Sequence, residues 1–192
     1  MARKPRVDVG HEIYHVINRA NGRLKIFWSH DDYQYFENLL FEKLQGEGVV
    51  CSAFVIMPNH WHLLLKTYED GSLSRLMRQI SQIHTQHFHI QRRNIGSGHL
   101  YQGRFKSHLI DSDNYFLAAI KYIERNPVAA KLCNRVEDWR WSSAYHRNNH
   151  TTRVLHLDAD LLLPLPKDYT KWVNTLSNPT EVEDVRRHMF SS

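Results

Sequence analysis

The sequence is poor in cysteine. Its two cysteines, Cys51 and Cys133, stand far apart in 192 residues. That excludes a disulfide framework or a zinc ribbon and points to two packed thiols in a reducing compartment. Long apolar runs are missing too: no stretch approaches the ~20 residues of a membrane span, and no apolar leader follows Met1. A membrane partner is therefore not expected, and the cytoplasm is the expected location. There is no internal repeat and no low-complexity tract. What remains is an ordinary globular composition, 42% hydrophobic and 23% charged, long enough for one domain with a sizeable core plus an appendage.

Positive charge, by contrast, is in excess. The net charge is +5 and the pI is about 9.2, before any of the 14 histidines is counted. A basic surface favours polyanions, but many basic proteins bind none, so charge alone leaves nucleic acid an open question.

Hydrophobic patterning gives the order of elements. Glu12 to Asn18 alternates as a strand, and Asn21-Gly22 turns it. Asp31 to Leu44 has helical spacing, with Asp31 or Asp32 as its cap. Val49 to Met57 is a strongly apolar strand halted at Pro58-Asn59, and His60 to Thr67 resumes as its hairpin partner. Ser72 to Gln91 reads as a long helix with Leu73, Leu76, Ile80 and Ile83 inward. Phe105 to Ile110 reads as a fourth strand. A last helix, capped by Asp113 or Asn114, runs to Asn126 and is expected to stop before Pro127. The order β-α-β-β-α-β predicts an α+β, ferredoxin-like split βαβ sandwich: an antiparallel sheet, helices on one face, and the other face free for a site. Residues 1–145 are expected to form this domain and the extra helix. Residues 146–192 are expected to form a partly helical appendage, with short helices over Asp158 to Leu165 and Glu181 to Met189.

Two pairs of residues carry chemistry. His60 and His62 flank Trp61 on a strand, so both imidazoles project from one face, roughly 7 Å apart. Two imidazoles leave a cation short of ligands, and chance pairs are expected among so many histidines. Tyr122 and Asn126 lie one turn apart on the last helix, away from its apolar stripe of Phe116, Ala119, Ile120 and Ile123. Singly, the tyrosine is a packing residue and the asparagine a helix stop. Together, two imidazoles and an amide oxygen suit a divalent metal with open positions, and a phenol beside them is a candidate nucleophile. A phenol with a pKa near ~10 attacks a phosphodiester only if the phosphoryl oxygens are polarised and its proton is taken up.

These residues also resemble a family. Phe54-Val55-Ile56-Met57-Pro58-Asn59-His60-Trp61-His62-Leu63-Leu64 resembles the HUH motif of single-tyrosine transposases. Tyr122-Ile123-Glu124-Arg125-Asn126-Pro127-Val128 is similar to their catalytic-helix signature. Tyr14 to Arg19, Tyr101-Gln102-Gly103-Arg104-Phe105 and Trp139-Arg140-Trp141-Ser142-Ser143 match further blocks in order, so the resemblance runs from about Gly10 to Tyr145. Within the superfamily the chain looks most like the REP-associated tyrosine transposases. The resemblance implies Mg²⁺ or Mn²⁺ held by His60, His62 and Asn126. It also implies attack by Tyr122 on single-stranded DNA beside a palindromic hairpin, leaving a 5′-phosphotyrosine and a free 3′-OH. Tyr115, one helical repeat earlier, is the nearest decoy. Compact relatives imply a site built within one chain, hence a monomer rather than a dimer.

DNA is expected along an arm of Arg3, Lys4 and Arg6 and a basic wall of Arg75, Arg78, Arg92, Arg93, Arg104 and Lys106, with Tyr101 as a base-stacking candidate. Two competing readings stand beside the nuclease. One is a domesticated hairpin-binding protein without catalysis. The other is a structural zinc protein in which His84 or His87 joins His60 and His62.

Overall fold

A computed structural model describes residues 7–96, 98–151, 163–176 and 178–190. Arg3, Lys4 and Arg6, and most of the helix expected over Asp158 to Leu165, lie outside the described residues. The elements are β1 (Ile13–Arg19), α1 (His30–Gly46), β2 (Val50–Met57), β3 (His60–Lys66), α2 (Ser72–Gln91), β4 (Lys106–Leu109), α3 (Asp113–Ala129) and α4 (Ser143–Asn148). Two further helices follow, α5 (Tyr169–Asn174) and α6 (Pro179–Phe190). The strands form one antiparallel sheet in the order β2-β3-β1-β4, the ferredoxin-like arrangement.

Period-two alternation sorts the strands into two faces. Tyr14, Val16, Phe54, Ile56, Trp61, Leu63 and Leu65 pack with Phe36 and Leu40 of α1 and with Leu73, Leu76 and Ile80 of α2. The opposite positions, Ile13, Ala53, Val55, Met57 and Leu64, pack with Phe116, Ala119, Ile120 and Ile123 of α3. The second face is therefore partly roofed by α3, and the histidines of β3 share that face. Trp61 fixes the register. It is fully buried, and its indole N–H donates to the Tyr101 hydroxyl at 3.1 Å, which in turn lies 2.6 Å from His84 Nδ1. A one-residue slip would expose the indole and drive two imidazoles into an apolar core. Removing a Trp from such a setting costs about 3–5 kcal/mol.

Several helix ends differ from the sequence-based expectation. Ser29, not an aspartate, caps α1. Asp32 is its reciprocal partner in a capping box, accepting from the Ser29 backbone N–H at 2.9 Å. Ser112 caps α3. The α2 N-terminus is capped from a distance: Asp8 accepts from the backbone N–H groups of Leu73 and Ser74, at 3.2 and 2.8 Å. Within α2, His84 rather than Ile83 takes the fully buried position. Helix α3 does not stop before Pro127 but runs through it to Ala129. So close to the end, the missing proline N–H removes one helical bond while the last turn still closes through Ala130 N–H to Asn126 C=O at 2.9 Å.

The segment after α3 is tied back to it. Trp141 C=O accepts from Ile56 N–H at 2.9 Å, extending the β2 edge. Lys121 Nζ donates to Thr175, and Arg125 donates to the carbonyls of Val173 and Asn174. Helix α6, which covers the expected Glu181 to Met189 segment, also packs on α3. Among the described residues, no helix is long and apolar enough to cross a membrane.

Candidate active site

The site begins with a turn. Pro58-Asn59 reverses the chain between β2 and β3, and its Pro58 carbonyl accepts from both Ile26 and Phe27 N–H groups at 2.8 and 3.1 Å. That anchors His60 at the first position of β3. Its Nδ1 lies 2.7 Å from Asn59 Oδ1. The Asn59 amide nitrogen donates to Arg23 C=O, so the oxygen faces the imidazole. An amide oxygen only accepts. His60 therefore carries its proton on Nδ1 and leaves Nε2 bare.

His62 lies deeper. Its Nδ1 is 3.0 Å from Nε2 of His15 on β1, and both rings are buried. The His60 and His62 ring centroids are 5.2 Å apart. From α3, the Tyr122 ring stands 5.7 Å from the His62 ring and 6.0 Å from that of His15. Asn126 sits one turn on, its amide nitrogen donating to Tyr122 C=O at 2.8 Å. That bond turns the amide oxygen outward as the end available to a ligand. His60, His62, Tyr122 and Asn126 line one open cleft of about 390 Å³, with Arg19 and Arg186 on its walls. All four are supplied by a single chain.

The electrostatics keep the imidazoles neutral. Burial pushes His60 down to about 4, helped by the Arg19 charge. Burial likewise pushes His15 down to about 3, with His108 adding to it, and holds His62 well below the ordinary imidazole range. Neutral rings present lone pairs, which a metal ligand needs. Among the described residues no three His, Cys, Asp or Glu side chains converge, so the available donor set is two imidazole nitrogens and the Asn126 amide oxygen. That mixed set, with room for further ligands, fits a divalent cation and not a closed structural zinc site.

The other expected residues fall elsewhere. His84 and His87 sit on α2, across the sheet; His84 bonds to Tyr101 and His87 stacks on Tyr35. The zinc reading therefore loses its extra ligands. Tyr101 is only 6% exposed, its hydroxyl held between Trp61 and His84, so its ring presents no surface for a base. Arg75, Arg78 and, just past the helix end, Arg92 and Arg93 also lie on the far side with α2. Arg75 is engaged by Glu47 and Glu69, and Arg92 by Asp32 at 2.8 Å. Arg78, Arg93 and Arg104 are exposed and Lys106 is half-buried. Sequence reasoning missed His15, Arg19 and Arg186. Strand alternation could have found the first two, since His15 and Arg19 share the face of Ile13 on β1. Nothing local could have placed Arg186, which reaches the cleft from α6.

This geometry coincides with a known family. The family described as "Transposase IS200 like" matches residues 9–126, from just before β1 to the asparagine of the cleft. The chain belongs to that family. The chain is 30% identical over 105 residues to a Haemophilus influenzae protein named, provisionally, as a REP-associated tyrosine transposase. The match covers 50% of this chain and 58% of that one, so the chain spans little more than half the length of this curated relative. A solved REP-associated tyrosine transposase, bound to a REP hairpin, superposes with a TM-score of 0.63 at 21% identity, over 88% of this chain and 94% of that one. At that identity the superposition speaks for the fold alone.

Proposed function

We propose that this IS200-like transposase is a single-strand DNA nickase and strand transferase of the REP-associated kind, with Tyr122 as nucleophile. The observation that carries the reading is that His60, His62, Tyr122 and Asn126 line one cleft. The names borne by the curated relative and the hairpin-bound neighbour support a palindromic hairpin as substrate. His60 Nε2, His62 Nε2 and the Asn126 amide oxygen would hold Mg²⁺ or Mn²⁺. When bound, that ion supplies charge against the non-bridging phosphoryl oxygens.

The chain's own residues do the rest. The Tyr122 hydroxyl oxygen attacks phosphorus, its proton leaves to water in the open cleft, and the bond from phosphorus to O3′ breaks. O3′ departs as a hydroxyl after taking a proton from water, and the 5′ side remains as phosphotyrosine. Because the ester bond is exchanged and not lost, a second 3′-OH can reverse the step. Arg19 and Arg186 on the walls offer positive charge to the flanking phosphates. No second copy is needed to complete the residue set, so a monomer suffices. We place this chemistry in residues 1–145, with 146–192 as an appendage that brings Arg186 to the cleft.

The test is incubation with single-stranded hairpin DNA and Mn²⁺, then denaturing electrophoresis. A protein band shifted by covalently attached DNA is expected. Its absence with folded protein across palindromic substrates would overturn the reading.

A further inference from the structure

The bond between His15 and His62 does not resemble the bond that orients His60. His60 faces an amide oxygen, and its proton position follows at once. His62 faces another imidazole, which can either give or take. Two neutral arrangements are open to a pair 3.0 Å apart. In one, His15 Nε2–H donates to His62 Nδ1. His62 then holds its proton on Nε2 and cannot bind a cation through the nitrogen that faces the cleft. In the other, His62 Nδ1–H donates to His15 Nε2. The His62 Nε2 lone pair is then bare, and the His15 proton moves to Nδ1.

We infer that His15 is the positioning residue for His62: its Nε2 accepts the His62 Nδ1 proton and thereby keeps His62 Nε2 bare toward the cleft. This rests on the reading of the cleft as a metal site. Two observations support it. The geometry puts both rings, fully buried, in direct contact with no water path between them. And among the described residues His15 Nδ1 has no hydrogen-bond partner, so this arrangement leaves it a buried, unmet N–H donor, a cost that folded proteins rarely carry without a return. A leucine or phenylalanine at position 15 would remove that defect and pack as well. The imidazole there is explained by what its other nitrogen does.

Metal-binding histidines are commonly oriented by a carboxylate or a carbonyl oxygen on the ring's other nitrogen, and loss of that partner weakens metal binding about 10–100-fold. Here one ligand uses an amide oxygen and the other a neutral imidazole. Neither partner adds negative charge, so the fixed charge around the cleft is that of Arg19 and Arg186 on its walls.

Three measurements test this. Long-range proton–nitrogen spectra of the metal-free protein report which His62 nitrogen carries hydrogen; Nδ1 is expected, and Nε2 overturns the inference. Mn²⁺ titration followed by the signal of the free ion should show His15→Leu binding roughly 10–100-fold more weakly than wild type. His15→Gln, whose amide oxygen can accept from His62, should recover most of that loss. Leu and wild type binding Mn²⁺ alike would overturn the inference while leaving Tyr122 chemistry untouched. Wild type that neither binds Mn²⁺ nor forms a DNA adduct would overturn both. If His15→Leu fails to fold, the wild-type spectrum together with the His15→Gln titration decides.

Discussion

Helix α3 carries two polar clusters, and they differ in how completely they are satisfied. Around Glu124, which is fully buried, the carboxylate accepts from Ser143, from Arg147 and from the Tyr169 hydroxyl. Arg147 gives a further N–H to the Ser52 carbonyl, at a β2 bulge that frees that carbonyl from the ladder. Around Tyr122 the accounting is open. Among the described residues His15 Nδ1 has no partner and nothing binds the Tyr122 hydroxyl, while Asn126 bonds back to its own turn. For the buried His15 ring a missing hydrogen bond costs about 1–3 kcal/mol. One cluster locks α4 and α5 to the domain. The other retains unused capacity at the mouth of a cleft, which is what a site for an incoming ligand requires.

Substitution at the two clusters should separate these roles. Tyr122→Phe removes a hydroxyl that bonds to none of the described residues, so its thermal stability should stay within about 0.5 kcal/mol of wild type. The covalent DNA adduct should vanish entirely, while hairpin binding by gel shift persists. A surviving adduct would move the nucleophile to Tyr115 or elsewhere. Glu124→Ala should do the reverse. It leaves the Arg147 charge buried without its partner, and urea unfolding should show a loss of about 3–5 kcal/mol. A loss under about 1 kcal/mol would mean that the first cluster is no more structural than a surface pair.

The two clusters were unequally legible in the sequence. His60, His62, Tyr122 and Asn126 follow from two short periodicities, one on a strand and one on a helix, so their sharing of a face within each element could be read locally. The strand alternation and the two helix stripes likewise give the sheet and its order. His15 lies on a strand that pairs with β3 through non-local contacts, and only the register Ile17 to His62 and His15 to Leu64 brings its ring beside His62. Glu124 and Arg147 were invisible for a different reason. Charged residues on a helix are normally solvated, and nothing near them in sequence announces a bulge at Ser52 or a hydroxyl from Tyr169. The α3 terminus departs from the expectation because a proline in the last turn removes a single bond and does not end the helix.

Acid should expose the contrast more gently. His15 and His60 are pushed by burial to about 3 and about 4, below the ordinary imidazole value. The unfolded chain therefore takes up protons that the folded one refuses. Their contribution is intact above pH 6.5 and falls away as the pH drops from there toward 4. By pH 5.5 the loss should be on the order of 1 kcal/mol per histidine, read by urea unfolding at both pH values. His15→Gln should flatten the decline by about that amount. Glu37 behaves oppositely. Despite burial, His146 and Arg140 hold its carboxyl low, so its contribution survives to lower pH and is lost only as the pH falls through that depressed value. A decline confined to below pH 4.5 would assign acid sensitivity to such carboxylates and not to the cleft.

The smallest effect concerns the arginines. Arg92 is already engaged by Asp32 and lies with α2, across the sheet from the cleft. A phosphate there would have to displace a carboxylate, so the net gain from that contact is small. Arg186 stands on the cleft wall with no partner among the described residues, and a phosphate near Tyr122 would meet it without competition. Binding that releases one counterion per phosphate contact makes log K fall with log salt by nearly one unit for each. Arg186→Ala should therefore weaken single-stranded DNA binding about equally for all sequences and reduce that slope by about 1. Arg92→Ala should leave the slope unchanged and alter stability by no more than about 1 kcal/mol. The reverse pattern would put the DNA path along α2, and the flanking strand would then have to cross the sheet edge to reach Tyr122.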